Sequence, residues 1–182
     1  KVSKDSISIK ETGPFIDFMH HYIIKKAIDY DMPIQIHTGM LCGSDNDIRN
    51  SNPTHLINLI LKYKKAKFDL FHTGYPYTDE LITMIKSYPN CYFNMCWIIE
   101  VSELLYKRIL DLAIEMIPSS KIIAFGGDNL FVEGTYASLK IAKEAIVDAL
   151  YKKVLEKYFS FKEAVQFAER ILYKNSDEIY QK

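Results

Sequence analysis

Three cysteines in 182 residues, Cys42, Cys91 and Cys96, are too few and too irregularly spaced for a disulfide framework or a paired-cysteine metal site. Cys91 and Cys96 stand five apart in one apolar run, so in a strand they point to opposite faces. That usage fits a reducing, cytoplasmic setting. Charge of either sign is not in excess either, with 23 basic residues against 23 acidic ones. Phosphate backbones select clustered positive charge, so no nucleic-acid partner is expected. The lysine-rich stretch from Lys62 to Lys67 falls late in a helical pattern, where it suits the helix dipole. No apolar run approaches the roughly 20 residues of a membrane span, and no signal peptide is visible, so no membrane partner is expected. Walker-type loop, serine nucleophile elbow and HExxH are all missing, and Gly126-Gly127 lacks the rest of a dinucleotide fingerprint. No linker, low-complexity stretch or close internal repeat breaks the chain. What remains is 48% hydrophobic and 25% charged, the balance of one ordinary soluble domain over residues 1–182.

The first dozen residues are polar and read as loop. Pro14 then opens a periodic segment (Phe15, Phe18, Met19, Tyr22, Ile23, Ala27) that predicts an amphipathic helix ending near Tyr30. Four strand-length apolar runs follow: Ile34 to Thr38, Phe68 to Thr73, Cys91 to Trp97 and Lys121 to Phe125. Helical stretches alternate with them. Asn52-Pro53 marks one start, Thr78 another and Ser102 a third. A long helix covers Thr135 to about Lys157, and Ser160 with Glu163 has capping-box spacing for a further one through Leu172. Strand–helix alternation implies a parallel α/β sheet with right-handed crossovers.

Chemistry in such sheets gathers where strands end. There stand His37-Thr38-Gly39, His72-Thr73-Gly74, Trp97 with Glu100, and Gly126-Gly127-Asp128. His37, His72 and Asp128 converge if the strands lie side by side, and two imidazoles with a carboxylate suit a divalent metal such as zinc. Such an ion lowers the pKa of bound water toward about 7. Each residue also has a plainer reading, the histidines as hydrogen-bonded structure and Asp128 as a turn or cap. Three plain explanations would all have to place such residues at the same end of different strands. His20, His21 and His55 fall in helices and suit surface or packing roles; Glu133 suits a helix cap. Trp97, Tyr75, Tyr77 and Cys42 are weaker candidates around the same site.

The segments PIQIHTG (33–39), FHTGYP (71–76), PNCYFNMCWI (89–98) and IPSSKIIAFGGD (117–128), in that order, resemble the amidohydrolase superfamily. The similarity is to its metal-dependent hydrolase branch that includes aminocarboxymuconate semialdehyde decarboxylase, and it runs from about Phe15 to the end. The resemblance implies the C-terminal half of a (β/α)8 TIM barrel, strands five to eight, with extra C-terminal helices. It also implies roles: His37 a metal ligand, His72 catalytic, Asp128 a ligand, a general base or both, and Zn2+ the usual ion. Hydrolysis of C–N or C–O bonds in a small-molecule substrate is the implied reaction, with non-oxidative decarboxylation on the same scaffold as the alternative. The family takes two further ligands from a His-x-His motif on its first strand, and this chain has none. It begins at Lys1, not Met, and is expected to be part of a longer enzyme. The expected partner is the missing N-terminal half-barrel or a second copy. A non-catalytic barrel module is the rival reading, and an independent α/β binding domain with guarded sheet edges ranks third.

Overall fold

The computed structural model describes residues 9–180. Four strands, β1 (Pro33–His37), β2 (Lys67–Phe71), β3 (Cys91–Asn94) and β4 (Ile122–Ile123), form one parallel sheet in chain order. In-register neighbours include Gln35 with Asp69, Asp69 with Tyr92, and Asn94 with Ile123. Side chains alternate across the sheet, so its faces differ in composition. One face presents Phe68, Leu70, Cys91, Phe93, Ile122 and Ala124, all fully buried in the apolar core. The opposite face carries Gln35 and His37, both exposed, and the buried polar pair Asp69 and Asn94.

Helices supply the rest of the core. They are α1 (Ile9–Asp29), α2 (Ile57–Lys62), α3 (Thr78–Ser87), α4 (Ile98–Val101), α5 (Glu103–Met116), α6 (Val132–Leu155), α7 (Phe161–Glu169) and α8 (Asn175–Tyr180). Leu81, Ile85, Ile109, Leu110, Ala113, Ala142 and Ile146 pack against the apolar sheet face. Buried Lys153 of α6 clasps Glu115 of α5 and sits 3.2 Å from Asp111, tying those two helices. Local signals explain several starts. Asn52 accepts from the Thr54 amide, and Ser102 accepts from the Leu105 amide. Ser160 and Glu163 form the expected capping box.

The boundaries depart from expectation in four places. First, α1 begins at Ile9, so Pro14 lies inside the helix; within the second turn, Pro14 forfeits one backbone bond and the helix continues. Second, the N-cap of α3 is Tyr77, which makes Thr78 the first helical residue. Third, α6 starts three residues before Thr135. Fourth, every strand stops short of the end of its apolar run, β1 by one residue. His72, Thr73 and Trp97 take left-handed backbone conformations that cannot continue a strand.

The β4 edge is guarded. Its Ala124 amide donates to the Ile171 carbonyl at 2.9 Å. Asn175 Nδ2 donates to the Ile122 and Ser119 carbonyls at 2.7 and 2.6 Å. The π-helical turn Arg170–Lys174 between α7 and α8 thus covers that edge. At the other edge β1 pairs with β2 alone within the sheet, and a groove of about 420 Å³ runs beside it, lined by Ile24, Ile34, Ile36, Leu56 and Leu59 among others.

Candidate metal centre

The loops after β1 and β2 lock together. Thr38 Oγ1 donates to the Phe71 carbonyl at 2.7 Å, and the Met40 amide donates to the Tyr75 carbonyl at 2.6 Å. Gly39 has φ +77°, and a Cβ there would stand 2.3 Å from the Tyr75 carbonyl oxygen. Only glycine fits so close an approach in that conformation. The threonine and glycine of the first His-Thr-Gly therefore clamp the second. His72, Thr73 and Gly74 run consecutively at positive φ. That turn pulls His72 out of the strand and aims it along the end of the sheet.

His72 is buried at 2% exposure. Its Nδ1 lies 2.9 Å from the Cys96 carbonyl, which can only accept, so Nδ1 carries the proton and Nε2 is left with a lone pair. Asp128 Oδ2 stands 3.9 Å from that Nε2, on a side chain 59% exposed. The rings of His37 and His72 meet edge-on with centroids 4.3 Å apart, and the half-buried Trp97 ring flanks His72 at 5.4 Å. Burial lowers the His72 pKa, with the His37 ring adding to the effect; the Cys96 carbonyl and the Asp128 charge oppose it. His72 is accordingly neutral near pH 7, the form that binds a metal or accepts a proton.

Glycines bring Asp128 to this point. A Cβ on Gly126 would stand 2.8 Å from Cys96 Sγ, and one on Gly127 2.8 Å from Thr135 Oγ1. The loop after β4 therefore threads between β3's end and the start of α6. Tyr106, buried in α5, holds its root by donating to the Ala124 carbonyl at 2.8 Å.

His37, His72 and Asp128 are thus neighbours, at the ends of three different strands. The donor atoms that come within 4.8 Å of one another are those of His72, Cys96 and Asp128. His37 is not in that group: its ring meets His72, but its Nε2 lies 2.8 Å from the Met40 carbonyl of its own loop. Nitrogen, sulfur and carboxylate donors together suit zinc better than a hard oxygen-seeking ion. Cys96 was not among the residues singled out in the sequence. The end-of-strand rule that selected its neighbour Trp97 would have found it. Burial pushes its thiol up to about 12, with Asp128 adding to the rise, so it is neutral unless a cation displaces the proton.

The other candidates take structural places. His21 Nδ1 lies 2.9 Å from Tyr63 Oη, and His55 Nε2 2.9 Å from the Arg49 carbonyl. Glu133 lies in the first turn of α6, where its charge suits the dipole, and makes no side-chain cap. Glu100 accepts from Asn129 Nδ2 at 2.5 Å, bracing the loop beyond Asp128. Cys42 is exposed in the loop after β1.

Residues 9–182 match the amidohydrolase family. This chain belongs to that family. The FluG protein of Emericella nidulans is 31% identical over 159 residues, 86% of this chain and 18% of FluG. A Lactobacillus casei structure provisionally classed as a metal-dependent hydrolase superposes with a TM-score of 0.79 at 25% identity, over 92% of this chain and 44% of its own. A Bacillus halodurans uronate isomerase gives 0.75 at 14% identity, over 98% and 44% respectively, and speaks to the fold alone. The chain spans under a fifth of FluG and under half of these structures. Its four parallel strands and their helices correspond to part of a TIM-barrel fold. These matches carry the amidohydrolase family and do not single out the decarboxylase-containing branch. Among the described residues, no helix is long and apolar enough to cross a membrane.

Proposed function

We propose that this chain carries one half of the active site of a metal-dependent amidohydrolase-type hydrolase acting on C–N or C–O bonds of a small molecule. The observation that carries the reading is the meeting of neutral, buried His72 with His37 and Asp128 at the ends of three strands. His37 and Asp128 would hold a divalent ion, zinc by its donor chemistry, and Cys96 is within reach to join them. Bound there, the ion would supply a water of lowered pKa and a Lewis acid. His72 Nε2 accepts a proton or orients the scissile group, while its Nδ1–H stays tied to the Cys96 carbonyl. Asp128, exposed beside it, is placed to take a proton from a nucleophilic water. Trp97 walls one side of His72 and limits water there. The remaining ligands would come from a complementary half-barrel seated along β1 and across the polar sheet face.

The test is metal content of the purified protein, with intact mass from the same sample. Stoichiometric zinc that is lost in both His37→Ala and Asp128→Ala supports the reading, and turnover screening then starts from amides and lactones. Well-folded protein that stays metal-free with zinc in excess and with the complementary half present defeats it, and leaves a binding or assembly module.

A further inference from the structure

Below the candidate centre, side chains take over where the strand ladder ends. The amide and carbonyl of Cys96 face β2, because the preceding amide, that of Met95, bonds Ile123 of β4 on the other side. The chain of β2 has already turned away at His72, so no backbone meets them there. The Cys96 amide instead donates to Asn94 Oδ1 at 2.9 Å, and the Cys96 carbonyl accepts from His72 Nδ1 at 2.9 Å. Asn94 Nδ2 in turn donates to Asp69 Oδ2 at 2.8 Å. Tyr180 of α8 donates to the same oxygen and accepts from Gln35 Nε2 at 2.9 Å. Asp69, Asn94 and His72 are all buried.

We propose that Asn94, oriented by Asp69, is a positioning residue for His72: it fixes the Cys96 backbone so that His72 keeps its proton on Nδ1 and presents an unprotonated Nε2 to the site. The direction of every link is forced. A backbone amide only donates, so Asn94 must offer its oxygen to Cys96. Its amide nitrogen is then turned to Asp69, whose carboxylate accepts. A carbonyl only accepts, so the His72 proton must lie on Nδ1. Asn94 to Cys96 is a side-chain turn of the i to i+2 type, which serine also makes, more weakly. Without it, the buried Cys96 amide has no acceptor. Its peptide is then held through the Met95 carbonyl, which accepts from the Ile98 amide at 3.4 Å, and the Cys96 carbonyl, in the next peptide, through the Trp97 amide bond to Gly126 at 3.0 Å, so the aim of that carbonyl at His72 loosens. Both tautomers of His72 then become accessible. The proposal rests on the metal-site reading only for its effect on the ion; the tautomer is a property of the protein alone.

The experiment records long-range proton–nitrogen correlation spectra of the histidine rings and zinc affinity by calorimetry, on the intact protein. Wild type shows His72 as the Nδ1–H form. Asn94→Ala converts a substantial share to the Nε2–H form and weakens zinc binding about 10- to 100-fold, the usual effect of losing an outer partner of a ligand. Asn94→Ser recovers most of both. Tyr180→Phe, which breaks the same network without touching Cys96, lowers the melting temperature but leaves the tautomer unchanged and zinc affinity within about 2-fold, well below the outer-partner effect. Should Asn94→Ala not fold, Asn94→Val keeps a strand-compatible side chain and makes the same break. The proposal is overturned if wild-type His72 is the Nε2–H form. It is also overturned if folded Asn94→Ala or Asn94→Val keeps the wild-type tautomer, or if Tyr180→Phe shifts His72 as far as Asn94→Ala. If wild type binds no zinc yet its tautomer responds as described, the positioning role stands and the metal-site reading falls.

Discussion

Replacing Asp69 with asparagine should make the protein progressively more stable, relative to wild type, as pH rises. Asp69 lies fully buried on β2. Its Oδ2 takes two hydrogen bonds while its Oδ1 has no partner among the described residues. Burial raises the carboxyl from 3.8 to about 6, against the opposing pull of Tyr180 and Asn94. A folded-state pKa above the unfolded one means that the associated stability is complete below about pH 4. It is lost as pH rises through about 6. A rise of about two units corresponds to roughly 3 kcal/mol. Asparagine is neutral throughout and escapes this loss. Its amide nitrogen would sit where Oδ1 lacks a partner, at a cost of about 1–3 kcal/mol. That cost does not vary with pH, so it cancels when the variant-minus-wild-type difference is compared across pH. His72 works in the opposite sense: its lowered pKa means stability is lost as pH falls below the ordinary histidine range, but it is present in both proteins and cancels too. Urea titrations of both proteins at unit steps from pH 4 to 8 supply the measurement. The stability difference should swing toward the variant by about 3 kcal/mol, or roughly 6–12 °C in melting temperature. A difference flat to within about 0.5 kcal/mol would refute the idea that the Asp69 charge is held at a penalty.

Gly39→Ala should cost at least about 2–3 kcal/mol, because its Cβ meets the Tyr75 carbonyl at 2.3 Å and its backbone is left-handed; a urea-midpoint change worth under about 1 kcal/mol would mean the two loops are not interlocked. Phe93→Ala should cost about 3–5 kcal/mol, since Phe93 is fully buried at the centre of the helix-facing core, and equilibrium unfolding reads this directly. Ser160→Ala should cost about 1 kcal/mol through loss of the α7 capping box, with hydrogen exchange rising first in the amides of Lys162 and Glu163.

Much of this architecture could be read from continuous apolar runs. PIQIH, KFDLF and CYFN each carry two β-branched or aromatic residues and are bounded by turns, and each is a strand. The strand ends could not be read the same way. His72, Thr73 and Trp97 have side chains compatible with strand, and tertiary packing rather than propensity bends them left-handed. The meeting of His37, His72 and Asp128 follows from strand order, which alternation alone suggested. The role of Asn94 does not follow from any local pattern, because it depends on where β2 leaves the sheet. Likewise, nothing in the spelling of Asn175 announces that its amide closes the edge of a strand fifty-three residues earlier.

The distribution of strain and polarity supports placing function on one end and one face of the sheet. Among the described residues, seven other than glycine have positive φ, and four of them, His72, Thr73, Trp97 and Asp128, belong to the candidate centre. Each such conformation costs on the order of 1–3 kcal/mol and persists only where the surroundings over-determine it. Those surroundings are present: the Gly39 clamp, the Asn94 turn, and the Tyr106 bond at the root of the last loop. The helix-facing side of the same sheet is apolar and fully buried, so the fold has a conventional core and does not need polar groups for packing. Burying Asp69, Asn94 and His72 on and beyond the other face lowers stability, and an apolar replacement would pack with less cost. What these residues supply that leucine or valine could not is a fixed proton position on His72. Replacing Asn94 alone leaves the buried Cys96 amide without an acceptor and Asp69 Oδ2 one donor short, so Asn94→Val should cost about 1–3 kcal/mol and should also release the His72 tautomer. An Asn94→Val protein that loses stability and keeps the His72 tautomer would assign the network to the fold instead.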